Sequence, residues 1–257
     1  KTVKQTMDYI HYPIVFREMD VTSNFSSKAG VSGSGFGVGG SMSRFGLYKE
    51  VLYIVDNNKL NIFDISDVNK PEEYTEFYAG WGIETMYILD DKMFLGTQSG
   101  MRIYDISNEL SPMYISEFWH VTACDPVVVK DDMAYVTLRG GSTCWNNVNE
   151  LDVVSISDIN NPELVERYPM TNPHGMGIDG NTLFLCDGDA GLKIYDISDP
   201  LKIDENQIAV FSNINAFDVI PINNVLLLIG DDGLYQYDYS NLNDIQFLSK
   251  IDVEDSN

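Results

Sequence analysis

"GLKIYDISDP", residues 191–200, is a phrase this chain writes five times. It returns as "KLNIFDISDV" (59–68), "GMRIYDISNE" (100–109) and, blurred, as "ELDVVSISDI" (150–159) and "GLYQYDYSNL" (233–242). Aligned at the Asp-Ile-Ser position, the copies begin at Asp64, Asp105, Ser155, Asp196 and Asp238, in steps of 41, 50, 41 and 42 residues. A phrase used this often is a structural unit rather than a catalytic motif, and such a period marks stacked or radially arranged supersecondary units. Around the second copy stand "GIETMYILD" (82–90), "KMFLGTQ" (92–98), "GMRIYDIS" (100–107) and "MYISEFWHV" (113–121). Each run is short, rich in Ile, Val, Tyr and Phe, and bounded by Gly, Asp, Asn or Pro, as strands are. No longer segment carries a 3.6-residue apolar period. Four short strands per unit make a propeller blade.

The sequence therefore predicts an all-β chain: a single β-propeller of five blades, each of four antiparallel strands. The blades span about 41–80, 81–121, 122–170, 171–213 and 214–253, with a tail at 254–257. Each unit supplies all four of its strands, so closure borrows none from the N-terminus. Six blades, with residues 1–20 adding a partial one, is the alternative. Within the phrase, Gly191 opens a strand and Leu192, Ile194 and Tyr195 occupy its packed faces. Asp196 and Ser198 then bond the free N–H groups of the turn, and Pro200, lacking an N–H, stops the ladder.

The chain resembles the LVIVD-repeat proteins, named for a strand written here as "LYIVD" (52–56) and closely as "AYVTL" (134–138) and "LFLCD" (183–187). The runs "CDPVVVKDDMAYVTLRGGSTC" (124–144) and "YPMTNPHGMGIDGNTLFLCDGDAGLKIYDISDP" (168–200) are similar to members from gut-type Gram-negative bacteria. The resemblance, over about residues 41–253, implies a β-propeller, often an exported lipoprotein held at the cell surface. It implies no established activity and assigns no catalytic residue.

Composition bounds the rest. The 257 residues, 44 % hydrophobic and 12 % aromatic, suit a folded domain. No apolar run approaches the roughly 18 residues of a membrane span. Sixteen basic against 39 acidic side chains give a formal charge of −23, a field that repels phosphate backbones and argues against nucleic-acid partners. The chain starts at Lys1 without Met, which suggests removal of an upstream segment. Cys124, Cys144 and Cys186 match no zinc or redox spacing. For an exported protein, one disulfide and one buried thiol is the expectation; three reduced thiols is the cytosolic one. A hairpin turning near Asp131 brings Cys124 and Cys144 to the same end and pairs them, leaving Cys186 buried and free.

Several segments break the pattern. Residues 1–20 hold one candidate strand, Ile14 to Met19, and residues 22–41 read as a Gly/Ser-rich linker, so 1–40 is an N-terminal extension. Gly35, Gly37 and Gly40 satisfy G-x-G-x-x-G, but the strands that follow exclude a dinucleotide fold, and no GK[ST] phosphate loop exists. The insertion "RGGSTCWNNVNE" (139–150) carries Trp145, a candidate stacking platform for a sugar or a cover for its own loop. "DGDAG" (187–191) begins like a calcium loop yet lacks the further acids that complete one, which favours an Asp-stabilised turn. His11 and His120 read as structural.

The candidate site is the mouth of the central channel. Repeat alignment sets Ser43, Glu84, Asp125, His174 and Asp218 at one position, hence in a ring about the axis, with Trp81 walling the same mouth. Three carboxylates and a histidine around one axis call for a cation, a cationic ligand or a shared proton. The alternative turns the acids sideways into turn N–H groups. The functional expectation is a monomeric, non-catalytic binding module at the cell surface, outer membrane or periplasm, holding an unknown small molecule, glycan or protein. No cofactor or metal is expected. A carboxylate-dependent hydrolase, glycosidase-like and acting at the axis, is the alternative.

Overall fold

The computed structural model describes residues 39–120, 126–141 and 148–253. The chain divides into two compact units, residues 1–32 and 33–257, and every described residue belongs to the second. The predicted strand Ile14 to Met19, Asp125, Trp145 and the predicted Cys124–Cys144 pair lie outside the described residues.

Five four-stranded antiparallel sheets follow one another along the chain, each in simple meander order. The first contains β1 (Phe45–Tyr48), β2 (Val51–Asp56), β3 (Lys59–Asp64) and β4 (Glu72–Tyr78). The second contains β5 (Ile83–Leu89), β6 (Lys92–Thr97), β7 (Gly100–Asp105) and β8 (Met113–Trp119). The third contains β9 (Val127–Lys130), β10 (Met133–Arg139), β11 (Asn149–Ser155) and β12 (Glu163–Pro169). The fourth contains β13 (Met176–Asp179), β14 (Thr182–Cys186), β15 (Leu192–Asp196) and β16 (Gln207–Phe211), with a single 3-10 turn at Asp204–Asn206. The fifth contains β17 (Ala216–Ile222), β18 (Val225–Gly230), β19 (Gly233–Asp238) and β20 (Gln246–Asp252). This is a five-bladed β-propeller with almost no helix, as the repeat predicts.

Two-residue turns between first and second strands fix the register. Lys49, Asp90, Asp131, Gly180 and Asn223 stand at one equivalent position there, with φ of 52, 51, 51, 56 and 51°. Gly, Asn and Asp tolerate that left-handed region best and set the primed turns hairpins favour. The phrase that opened the sequence does the job expected of it. Asp64, Asp105, Asp196 and Asp238 each accept the N–H of the serine two residues on, at 2.8 Å. The residue between them then donates its N–H back to the first turn, as Ile106 does to Asp91 and Ile197 to Asn181, both at 2.8 Å.

The second strands of the middle three blades are buried on both faces, as in Met133–Arg139, because a neighbouring blade covers each side. Outer strands such as Glu72–Tyr78 are largely exposed. Four apolar cores join successive blades: Tyr53, Leu60 and Ile62 meet Met93 and Leu95; Phe94, Met101 and Ile103 meet Val136 and Val154; Tyr135, Leu151 and Val153 meet Leu183 and Leu185; Phe184, Leu192 and Ile194 meet Leu226 and Leu228. No such cluster spans the fifth and first blades among the described residues. There the equivalent side chains Leu52, Ile54, Phe63, Leu227 and Leu234 are half-buried, and Ile229 is 44 % exposed. Among the described residues the fold thus has four apolar inter-blade cores and one seam without such a core. Cys186 is buried and free, and burial pushes its thiol well above the usual range.

Candidate functional site at the axial mouth

Counting back from the turns places Ser43, Glu84, His174 and Phe217 at one position. Arg44, Thr85, Pro126, Gly175 and Asp218 share the next. Asp218 therefore falls one residue away from the ring in which repeat alignment set it. The register is fixed by the turn at Asn223, and it seats Phe217 beside His174, ring centroids 5.1 Å apart and edge-on. A β-bulge skips Glu84 in the second blade, and another skips Phe217 in the fifth. Bulges re-aim side chains at strand ends.

A recess of about 300 Å³ opens here, lined by Met42, Arg44, Glu84, Thr85, Pro126, Arg139 and His174. Two of the expected ring residues, Glu84 and His174, line it. Ser43 does not: its hydroxyl donates to the Phe45 carbonyl at 2.7 Å. Trp81 does not either, and it stands 65 % exposed. The two arginines are the residues that sequence reasoning missed. Arg44 adjoins Ser43 on the way into β1, and Arg139 ends β10 where the insertion begins.

The electrostatics differ from an acidic ring. Glu84 is held by Gln98, whose amide donates to Oε1 at 3.0 Å. Burial, with Arg139 nearby, lowers the pKa of His174 to about 4, so it is neutral at physiological pH. Two guanidiniums against one carboxylate leave the described lining with an excess positive charge, inside a molecule of formal charge −23.

Below the recess the end of the Gly/Ser-rich run is packed rather than loose. Gly40 and Ser41 are buried, and the Ser41 hydroxyl accepts the Met176 N–H at 2.6 Å. A 40 Å³ cavity separates Gly39 and Ser41 from Tyr87, Val128 and Val219 of the first strands. The Asp218 carboxylate lies between Gly40 and Gly175, where a Cβ on either would sit 2.0 Å from one of its oxygens. Its Oδ1 is buried without a hydrogen-bond partner. Burial raises its pKa to about 6, opposed by the N–H groups of Val219 and Met42. Asp218 is thus a support for the segment leading into β1 rather than a wall of the recess.

Elsewhere, Asp187 of "DGDAG" accepts the N–H groups of Thr171 and Asn172, at 3.0 and 2.7 Å, and pairs with Lys193 at 2.5 Å. That is turn and linker chemistry, as expected. Asp152 is fully buried and meets Arg167 at 3.3 Å without hydrogen-bond geometry; burial, then Glu150, raises it to about 6.

Fold and site together define a repeat protein of the β-propeller class with a small axial recess. The LVIVD repeat family matches residues 39–77, 123–170 and 175–206, so the chain is a five-bladed β-propeller that carries LVIVD repeats. No curated protein matches it. Among solved structures it is similar to the computationally designed Ika8 protein (TM-score 0.59, 11 % identity, 82 % of this chain and 61 % of that one). It is also similar to a functionally unknown protein from Desulfotomaculum acetoxidans (0.59, 11 %, 79 % and 66 %). A protein from Lactobacillus plantarum aligns equally well (0.59, 12 %, 79 % and 68 %). At such identities the likeness concerns the fold alone, and this chain spans about two-thirds or less of each.

Proposed function

We propose that the protein is a non-catalytic binding module, exported to the cell surface, outer membrane or periplasm, that holds its ligand at the axial mouth. One observation carries the reading: side chains from four blades converge on a recess of about 300 Å³ that contains ionic, hydroxyl and apolar groups together. Few polar groups on a rigid, partly apolar wall is the composition of a ligand pocket. The resemblance to LVIVD proteins supports export, and no helix among the described residues is long and apolar enough to cross a membrane. The hydrolase reading has less support. Glycosidases need two carboxyl groups across the scissile bond, and among the described residues Glu84 is the one carboxylate lining the recess.

The test is a glycan-array and metabolite thermal-shift screen of the purified chain, repeated with the Glu84→Gln/Arg139→Ala double variant. Ligands bound by the parent are expected to be lost by the variant, with melting temperatures that differ by only a few degrees. Undiminished binding by the variant refutes the axial site, and turnover of a bound glycoside refutes the non-catalytic reading.

A further inference from the structure

The chain has four arginines among its described residues, and they divide into two kinds. Arg102 pairs with Glu117 at 3.0 Å, and Arg167 with Glu150 and Asp152 at 3.5 and 3.3 Å. Arg44 and Arg139 meet no carboxylate within ion-pair distance among the described residues, and both line the axial recess. Arg44 makes one long contact, 3.4 Å, to the Ile83 carbonyl. In a chain with 39 acidic and 16 basic residues, unpaired guanidiniums are the scarce kind, and here two share one cavity. Like charges bordering a small space repel, and an anion between them relieves that cost.

We infer that the recess takes a hydroxylated monocarboxylate of monosaccharide size, a uronic acid or related sugar acid; the inference rests on the axial-site reading above. The planar guanidinium fork matches a carboxylate in bidentate fashion. Glu84 argues for one negative charge rather than two, because a phosphate carrying roughly −1.5 to −2 would be repelled by it. A zwitterion would leave the excess positive charge of the described lining unmatched. Glu84 Oε2 is an acceptor for sugar hydroxyls, since Gln98 occupies Oε1. Met42 and Pro126 offer apolar surface to the C–H face of a ring. The volume lies at the small end of ligand pockets, roughly 300–1,000 Å³, which suits one ring rather than a chain.

The experiment is calorimetric titration of the chain with glucuronate and galacturonate, against glucose, galactose, glucosamine and glucose 6-phosphate. A uronate is expected to bind at least about tenfold more tightly than its neutral sugar. Arg44→Ala and Arg139→Ala should each weaken it about tenfold, with unchanged circular dichroism and melting curves as the folding control. Added salt should weaken uronate binding as well. If glucosamine or glucose 6-phosphate binds at least as tightly, and Glu84→Gln or Arg139→Ala alters that binding, the site stands and the ligand class falls. Failure of both uronates to bind at millimolar concentration also overturns the class. Binding of any of these sugars that ignores substitutions at Arg44, Glu84 and Arg139 overturns the axial site itself.

Discussion

Asp218 shows how a single side chain couples the channel to pH. Its carboxylate is pressed between two glycine backbones, with one oxygen left without a partner. The ordinary aspartate value is 3.8, and burial pushes this one to about 6. Between those values the native protein holds a proton that the unfolded chain releases, so this group's contribution to stability falls as pH rises through the window. Asp218→Asn should therefore be more stable than the parent by about 2 kcal/mol at pH 8. The advantage should fade to nothing near pH 4. Urea unfolding at the two pH values checks it, and an advantage that grows toward acid would contradict the assignment. Repeat alignment made Asp218 look like a ring member. The turn at Asn223 displaces it by one residue, and the Asn-Asn pair there marks a turn without fixing its count. Glu84 and His174 were legible because each stands six residues before the left-handed turn residue of its blade, Asp90 and Gly180. Arg44 and Arg139 were not, since what marks them is that neither meets a carboxylate among the described residues, which only three dimensions reveal.

Among the elements, the third strands carry the repeat's most demanding position. Gly191 precedes Leu192 at φ +93°, and a Cβ there would lie 2.1 Å from the Phe211 carbonyl oxygen of the fourth strand. Gly180, in the turn between β13 and β14, also has a positive φ, 56°, but nothing lies within 4 Å of its would-be Cβ. The same substitution should thus have two costs. Gly180→Ala is expected to lose about 1 kcal/mol, the backbone penalty alone. Gly191→Ala should lose about 3 kcal/mol or more, because strand and carbonyl cannot both keep their places. Equal losses in denaturant titrations would show that the close approach is relaxed in solution. The strands themselves were readable throughout, because alternation of Ile, Val and Tyr with turn residues is a local signal. The glycine's reason was not, because the atom it avoids is 20 residues away.

On the scale of the whole molecule, four successive blade pairs share an apolar core, and among the described residues the fifth and first blades share none. Leu228 and Leu227 are neighbours on β18 that face opposite ways. Leu228 is fully buried in the core shared with the fourth blade, whereas Leu227 is half-buried on the seam side. Leu228→Ala should cost about 3 kcal/mol and Leu227→Ala about 1 kcal/mol. A seam as tightly packed as the other interfaces would make the two losses equal. Blade number was legible from the period of the phrase. The uneven packing was not, because Leu227 and Leu228 look the same in a string of letters, and their difference arises from what lies across each face.

That unevenness bears on how such proteins change in size over evolution. Each of the five sheets is one uninterrupted stretch of chain, no strand among the described residues is exchanged across the seam, and the turn geometry repeats to the residue. A gene duplication or deletion that begins and ends in equivalent inter-blade linkers would therefore insert or excise a complete folding module without rethreading any other. The loosely packed seam is where the copy number of such modules can change with the least disturbance to the rest.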